Sequence, residues 1–314
     1  MLNYLIRRLA LAVVIVSVAM LLLFSMIFLI PGDPAAVALG PRATDEMREA
    51  LRIRMGLDKP VWLQFWNFYT NAWTGDLGTE VLSNRPVLTV VMEQLPYTLA
   101  LIAGGIIWSV ALGIPLGCWA AVARGSLADR IVGILSVAVI AVPSFVVAIY
   151  ALLIFAVALQ WLPAIGAGEP GNLGDQMVHL ILPSLAVGLG WVGYIARMVR
   201  ASMLEVLEAP HIRTARAFGL PDRLITYRYA LSIAILPTIT LLGVGIGQML
   251  SSAVFAEIVF ARPGIGKLVY DAILVRNFPL VTGAVLVTTV LFVLLNLIAD
   301  LIVGALDPRV RSSF

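Results

Sequence analysis

Long apolar runs separated by short polar stretches dominate the chain. The runs cover roughly residues 9–30, 96–123, 128–160, 179–203, 232–258 and 281–305, and each reaches the roughly 20 residues that a helix needs to cross the hydrocarbon layer. They predict six membrane-spanning helices. The fourth is the weakest, because Gly188, Gly190 and Gly193 lower helix propensity and Arg197 and Arg200 interrupt its end. The polar stretch 31–95 carries a different pattern. Apolar and charged residues recur there at helical spacing over Thr44–Met55 and Pro60–Trp73, with Gly56 ending the first piece and Pro60 opening the second.

Composition fits a lipid-facing surface. Of 314 residues, 61% are hydrophobic and 12% charged, against roughly 25% charged in soluble domains, and the mean hydropathy is +1.00. Cys118 is the single cysteine and His179 and His211 the two histidines, so neither a disulfide framework nor a zinc site is expected. The first run follows Arg7 and Arg8 but is longer than the roughly 7–15 residues of a cleaved signal; it reads as an uncleaved anchor.

The excess of Lys and Arg reports orientation. One side carries Arg7, Arg8, Arg124, Arg130, Arg197, Arg200, Arg213, Arg216, Arg223, Arg228, Arg309 and Arg311; the short loops of the other carry only Arg262, Lys267 and Arg276. The first side is therefore expected to be cytoplasmic, with both termini. Segments 31–95, 161–178 and 259–280 then face outward. The chain divides into a tail with a first span (1–30), an extracytoplasmic helical insert (31–95), and a five-helix core (96–314) containing a cytoplasmic loop, 204–230. In the insert, Trp62, Phe65, Trp66, Phe68, Tyr69 and Trp73 form an aromatic stripe. It suits either anchoring at the membrane interface or docking of a partner.

Several motifs exclude functions. Gly188-Leu-Gly190-Trp-Val-Gly193 matches a dinucleotide fingerprint but lies inside an apolar run without the strand that such a site needs. Helix packing or lining of a solute path explains these glycines, and Gly243, Gly245 and Gly247, better. Gly264-Ile-Gly266-Lys267 lacks both the first glycine and the hydroxyl residue of a phosphate loop. No nucleophile elbow, metal-binding His pair or buried carboxylate pair is present; Glu257 and Asp300 fall near helix ends, where interfacial hydrogen bonding is expected, with Asn296 one turn from Asp300. Neither catalysis nor a cofactor site is expected in this chain.

The loop 204–230 carries the function. Gly219 stands where a helix end calls for a left-handed residue, Pro221 suits the start of a second helix, and Asp222 complements its positive end. Arg213 and Arg216 share a face, flanked by the small Ala215 and Ala217. Contact with anionic lipid is one use for such a basic helix pair, and docking to a soluble partner is the other.

Arg213-Thr214-Ala215-Arg216-Ala217-Phe218-Gly219, with Leu220 and then Ile235-Leu-Pro237, resembles the coupling-loop signature of ABC importer permeases. Pro31-Gly-Asp-Pro34, Gly56-Leu-Asp-Lys-Pro60, Gly75-Asp-Leu-Gly78, Leu182-Pro183, Pro263-Gly-Ile-Gly266 and Leu306-Asp-Pro-Arg309 extend the likeness over the whole chain to the dipeptide, oligopeptide and nickel permease family. MLNYLIRRL and Gln64-Phe-Trp-Asn-Phe-Tyr-Thr-Asn are similar to its glutathione-import members. Phe218 departs from the usual lysine, and Ala209-Pro-His211 from the usual acidic and aromatic residues. The resemblance implies a type I importer permease fold in a bacterial inner membrane. It also implies a second permease, two ATP-binding-cassette ATPases that bind the ATP and magnesium, and an extracytoplasmic solute-binding protein. An ion-coupled secondary carrier is the alternative.

Overall fold

A computed structural model describes residues 2–29, 44–54, 56–81 and 83–306. The motif Pro31–Pro34 lies outside the described residues, as do Arg309, Arg311 and all but the first residue of Leu306–Arg309. The helices are α1 (Leu2–Leu29), α2 (Asp45–Arg54), α3 (Val61–Thr74), α4 (Val87–Val122), α5 (Leu127–Ala141), α6 (Ser144–Ala151), α7 (Leu173–Leu207), α8 (Pro210–Ala217), α9 (Asp222–Leu224), α10 (Leu231–Ala234), α11 (Leu236–Val259), α12 (Ile265–Leu274) and α13 (Phe278–Leu306). Among the described residues no strand forms beyond an isolated bridge between Thr79 and Pro86. Five helices are long and apolar enough to cross a membrane, and α5 with α6 supplies a sixth if taken as one broken span.

That broken span corrects the expectation of one helix over 128–160. Val142 is extended and Pro143 caps the next helix, so the axes of the two pieces differ by 100°. The cause is local. Proline has no amide hydrogen to continue the ladder and pushes its predecessor out of the helical region. Leu152–Ala158 then continues α6 as a wider π-helix. The fourth span, the weakest by hydropathy of the five unbroken ones, runs unbroken over 35 residues through its glycines and Pro183. Propensity is overridden because this helix is the most buried of the candidate spans.

The chain forms two compact units, Met1–Pro96 with Gly264–Leu294, and Tyr97–Pro263 with Leu295–Phe314. In the first, Val16, Met20 and Leu286 form one core against Phe68, Tyr69 and Ala72 of α3. Val87, Val90, Val91, Ile265, Ala272, Leu280 and Ala284 form another. In the second unit α7 is central, packed against α5, α6 and α11.

Its contact with α4 depends on missing side chains. A Cβ on Gly188 would stand 2.4 Å from the Gly105 carbonyl oxygen, and one on Gly117 would stand 2.4 Å from that of Ala196. Backbones this close allow polar groups to bridge directly. Ser109 Oγ donates to the Gly105 and Gly188 carbonyls at 2.7 and 3.0 Å, and Trp108 Nε1 donates to Ser184 Oγ at 3.2 Å.

Candidate coupling surface and its supports

α8 begins at Pro210, whose missing amide hydrogen costs nothing in a first helical turn. The usual acidic and aromatic residues before the signature are therefore dispensable for starting this helix. Ile212 is fully buried and joins Met203, Ile225 and Ala230 in one apolar cluster, with Ala215 and Leu220 packed against it. This anchor turns Arg213, Thr214, Arg216 and Ala217 outward, all of them exposed. The Thr214 hydroxyl donates to the Pro210 carbonyl at 3.1 Å.

The helix ends as the sequence predicts. Gly219 has φ +76°; its amide donates to the Arg216 carbonyl at 2.9 Å, and the Leu220 amide reaches back to Ala215 at 3.3 Å. These two bonds are the Schellman arrangement, in which apolar residues at the third-last helical and second post-cap positions also meet; Ala215 and Leu220 occupy those positions. A Cβ at Gly219 would meet nothing within 4 Å, so backbone conformation alone selects glycine there.

Two details differ from expectation. Leu204–Leu207 belongs to α7 rather than to the loop, and Pro221 caps the following helix instead of occupying its first turn. That helix widens into a π-helix over Ile225–Ala230 before α10. At the tip, Phe218 is 82% exposed. Arg216 Nε stands 3.9 Å from Asp222 Oδ1, too far for a hydrogen bond, so the guanidinium stays available to a partner.

Tertiary contacts beneath this surface were not legible as a set. Asp129 in the first turn of α5 accepts from Arg200 of α7 twice, Nε to Oδ1 at 2.5 Å and Nη2 to Oδ2 at 2.8 Å. Its Oδ2 also accepts from the Gly125 amide at 3.0 Å, while Ser126 caps the helix by accepting from the Asp129 amide at 3.3 Å. Arg124 Nη1 donates to Glu208 at 2.7 Å. Both bonds tie the α4–α5 turn to the end of α7, next to α8. The available signals were a serine three residues before an aspartate, and an arginine intruding on an apolar run.

The pathway or packing glycines lie elsewhere in this unit. A Cβ on Gly193 would stand 2.5 Å from the Ser136 carbonyl oxygen, on Gly243 2.9 Å from Ala299, and on Gly245 2.7 Å from Trp191; at Gly190 the nearest atom is 3.7 Å away. Gly247 is buried. None of these contacts involves α8.

Glu257 lies near the end of α11, where hydrogen bonding is expected. It is fully buried, and Thr98 Oγ1 donates to its Oε1 at 2.7 Å. Beyond the end of α11, Arg262 is also buried, and its Nε and Nη1 have no hydrogen-bond partner among the described residues. Burial pulls its guanidinium below the ordinary value, while Glu257 and Tyr97 act in the opposite sense; the Tyr97 ring centre is 5.9 Å from Cζ.

Residues 113–312 match the family described as binding-protein-dependent transport system inner membrane component, and residues 1–102 match its N-terminal counterpart. The glutathione transport system permease protein GsiC of Pectobacterium atrosepticum is 37% identical over 311 residues, covering 99% of both chains. Its counterpart in Escherichia coli K12 is 34% identical with the same coverage. Among solved structures, a chain of the MetNI methionine ABC transporter, in inward-facing conformations, matches with TM-score 0.55 and 19% identity over 69% of this chain and 96% of that one. The chain belongs to the binding-protein-dependent transport system inner membrane components and is a permease subunit of an ABC importer.

Proposed function

We propose that this permease imports glutathione or similarly small peptides, handed to it by an extracytoplasmic solute-binding protein, and that it works as a heterodimer with a second, related permease. ATP is bound and hydrolysed by two partner ATPases. The relatives named for glutathione transport support the substrate class, since they align over nearly the full length. Di- and oligopeptides and nickel chelates are the neighbouring cargo classes.

The observation that carries the coupling assignment is α8 with its left-handed stop at Gly219. A short helix held from below by Ile212 offers Arg213, Arg216 and Phe218 outward and is joined by short turns to α7 on one side and to α9 on the other. On this reading Arg213–Leu220 meets the ATPases on the cytoplasmic face. Closure of the ATPases on ATP moves α8 as a rigid piece, and the packed spans switch between outward and inward access. The charged ties at Asp129 and Arg124 bring the neighbouring turn along with it.

Reconstitution tests this. Proteoliposomes containing both permeases, the ATPases and the binding protein are expected to accumulate labelled glutathione or a dipeptide only with ATP inside the compartment that the ATPases face. Uptake by this chain alone, driven by a proton or sodium gradient, would reassign it to the ion-coupled carriers.

A further inference from the structure

We infer that α3 lies inside one leaflet of the bilayer beside the first span, and that lipid acyl chains cover its tryptophan face and fill the cleft between it and α1. The inference rests on α1 as a membrane span and is independent of the coupling assignment.

Register along α1 sets the depth. The apolar part of the span is Ile6–Met26, so its midpoint falls near Val16. The Phe65 and Phe68 rings stand 5.4 and 6.1 Å from the Phe24 ring, close to the outer end of that window. The hydroxyls of Tyr69 and Ser17 are 3.1 Å apart, and Ala72 packs into the cluster around Val16 and Met20. From Phe24 to Ser17 the span advances seven residues, about 10 Å at 1.5 Å per residue. The helix therefore runs alongside α1 from the level of Phe24 toward that of Ser17.

Its chemistry matches that depth. The sequence Val61–Thr74 carries no charge. Gln64 donates its amide to the Lys59 and Leu57 carbonyls at 2.7 and 3.4 Å, while Thr70 and Thr74 bond back to carbonyls of their own helix at 2.9 Å. Trp62 and Trp66 are 71% and 58% exposed. Val18, Leu22 and Met26 of α1 are exposed apolar residues as well.

The cleft points the same way. About 620 Å³ in volume, it is lined by Leu21, Phe24, Ser25, Val61, Trp62 and Phe65. Among the described residues its polar side-chain groups are the Ser25 hydroxyl, which already donates to the Leu21 carbonyl at 2.7 Å, and the Trp62 indole N–H. Water would find few groups to bond among these residues, whereas a hydrocarbon chain needs no partner.

Spin labels at Trp62, Trp66 and Asn71, with Glu49 of α2 as the aqueous reference, test the depth in a Cys118→Ala background. The importer is assembled with its partners in proteoliposomes. Labels at 66 and 71 are expected to meet dissolved oxygen more than a water-soluble nickel chelate, with depth increasing from 62 to 71, and the preference should reverse at 49. Preference for the chelate at 66 and 71 would place α3 in water, and shielding from both reagents would place a protein there; either result overturns the proposal. A second measurement avoids cysteine variants. In lipid brominated on its acyl chains, the quenchable tryptophan emission should fall in both Trp62→Phe and Trp66→Phe, and an unchanged quenchable fraction would equally refute contact with lipid.

Discussion

Asp129 and Arg200 are joined by two parallel hydrogen bonds across 71 residues of sequence. The fork geometry fixes both side chains at once, so this pair orients the start of α5 against α7 more firmly than a single-contact ion pair would. Removing either partner leaves the other without its counter-charge at a half-buried site. Asp129→Asn and Arg200→Met should each lower the thermal midpoint of the assembled importer. The double variant should lose less than the sum, because the second change removes nothing that the first has left in place. Strictly additive losses would show that the pair contributes nothing as a unit.

Gly219→Val should cost about 1–2 kcal/mol, the penalty of holding a side-chain-bearing residue in the left-handed region. Because the surrounding space is open, the cost is conformational, and Gly219→Asn should recover much of it. The valine variant is expected to insert and accumulate normally yet fail to stimulate ATP hydrolysis with substrate in proteoliposomes. Wild-type coupling in that variant would remove the turn from the mechanism.

Two glycines on α7 should respond in opposite ways. Gly188→Val forces atoms into the space of the Gly105 carbonyl and is expected to cost about 1–3 kcal/mol or more, the range for overpacked interiors, with reduced yield of folded protein. Gly190→Ala meets only an ordinary contact, 3.7 Å from the Val139 carbonyl oxygen, and should leave yield and midpoint unchanged. Size-exclusion profiles and melting curves compare them; equal behaviour would contradict the close packing.

Thr98→Val, nearly the same shape, leaves a buried carboxylate at Glu257 without one of its donors and should cost about 1–3 kcal/mol. Thr98→Ser keeps the hydroxyl and should melt close to wild type. A valine variant as stable as serine would mean that the hydrogen bond is dispensable.

Orientation is open to direct labelling. In a Cys118-free background, a membrane-impermeant thiol reagent should modify a cysteine at Ser83 in intact cells and one at Arg213 only after permeabilisation. The reverse pattern would invert the topology.

The sequence alone determined the elements whose causes are local. Apolar runs long enough to cross a bilayer, the helices at Asp45–Arg54 and Val61–Thr74, and the left-handed stop at Gly219 each follow from residues within a few positions of one another. The break at Pro143 was local too, but hydrophobicity continues through it, and a pattern of apolar positions does not record a change of direction. Only the tertiary structure decided which residues separated by long stretches of chain meet: Asp129 with Arg200, Thr98 with Glu257, Gly188 with Gly105, Tyr69 with Ser17. Any apolar face can bury against many others, and a lone serine, glycine or arginine in an apolar run is compatible with several partners. The free energy of packing, with backbones as close as glycine permits, selects one of them.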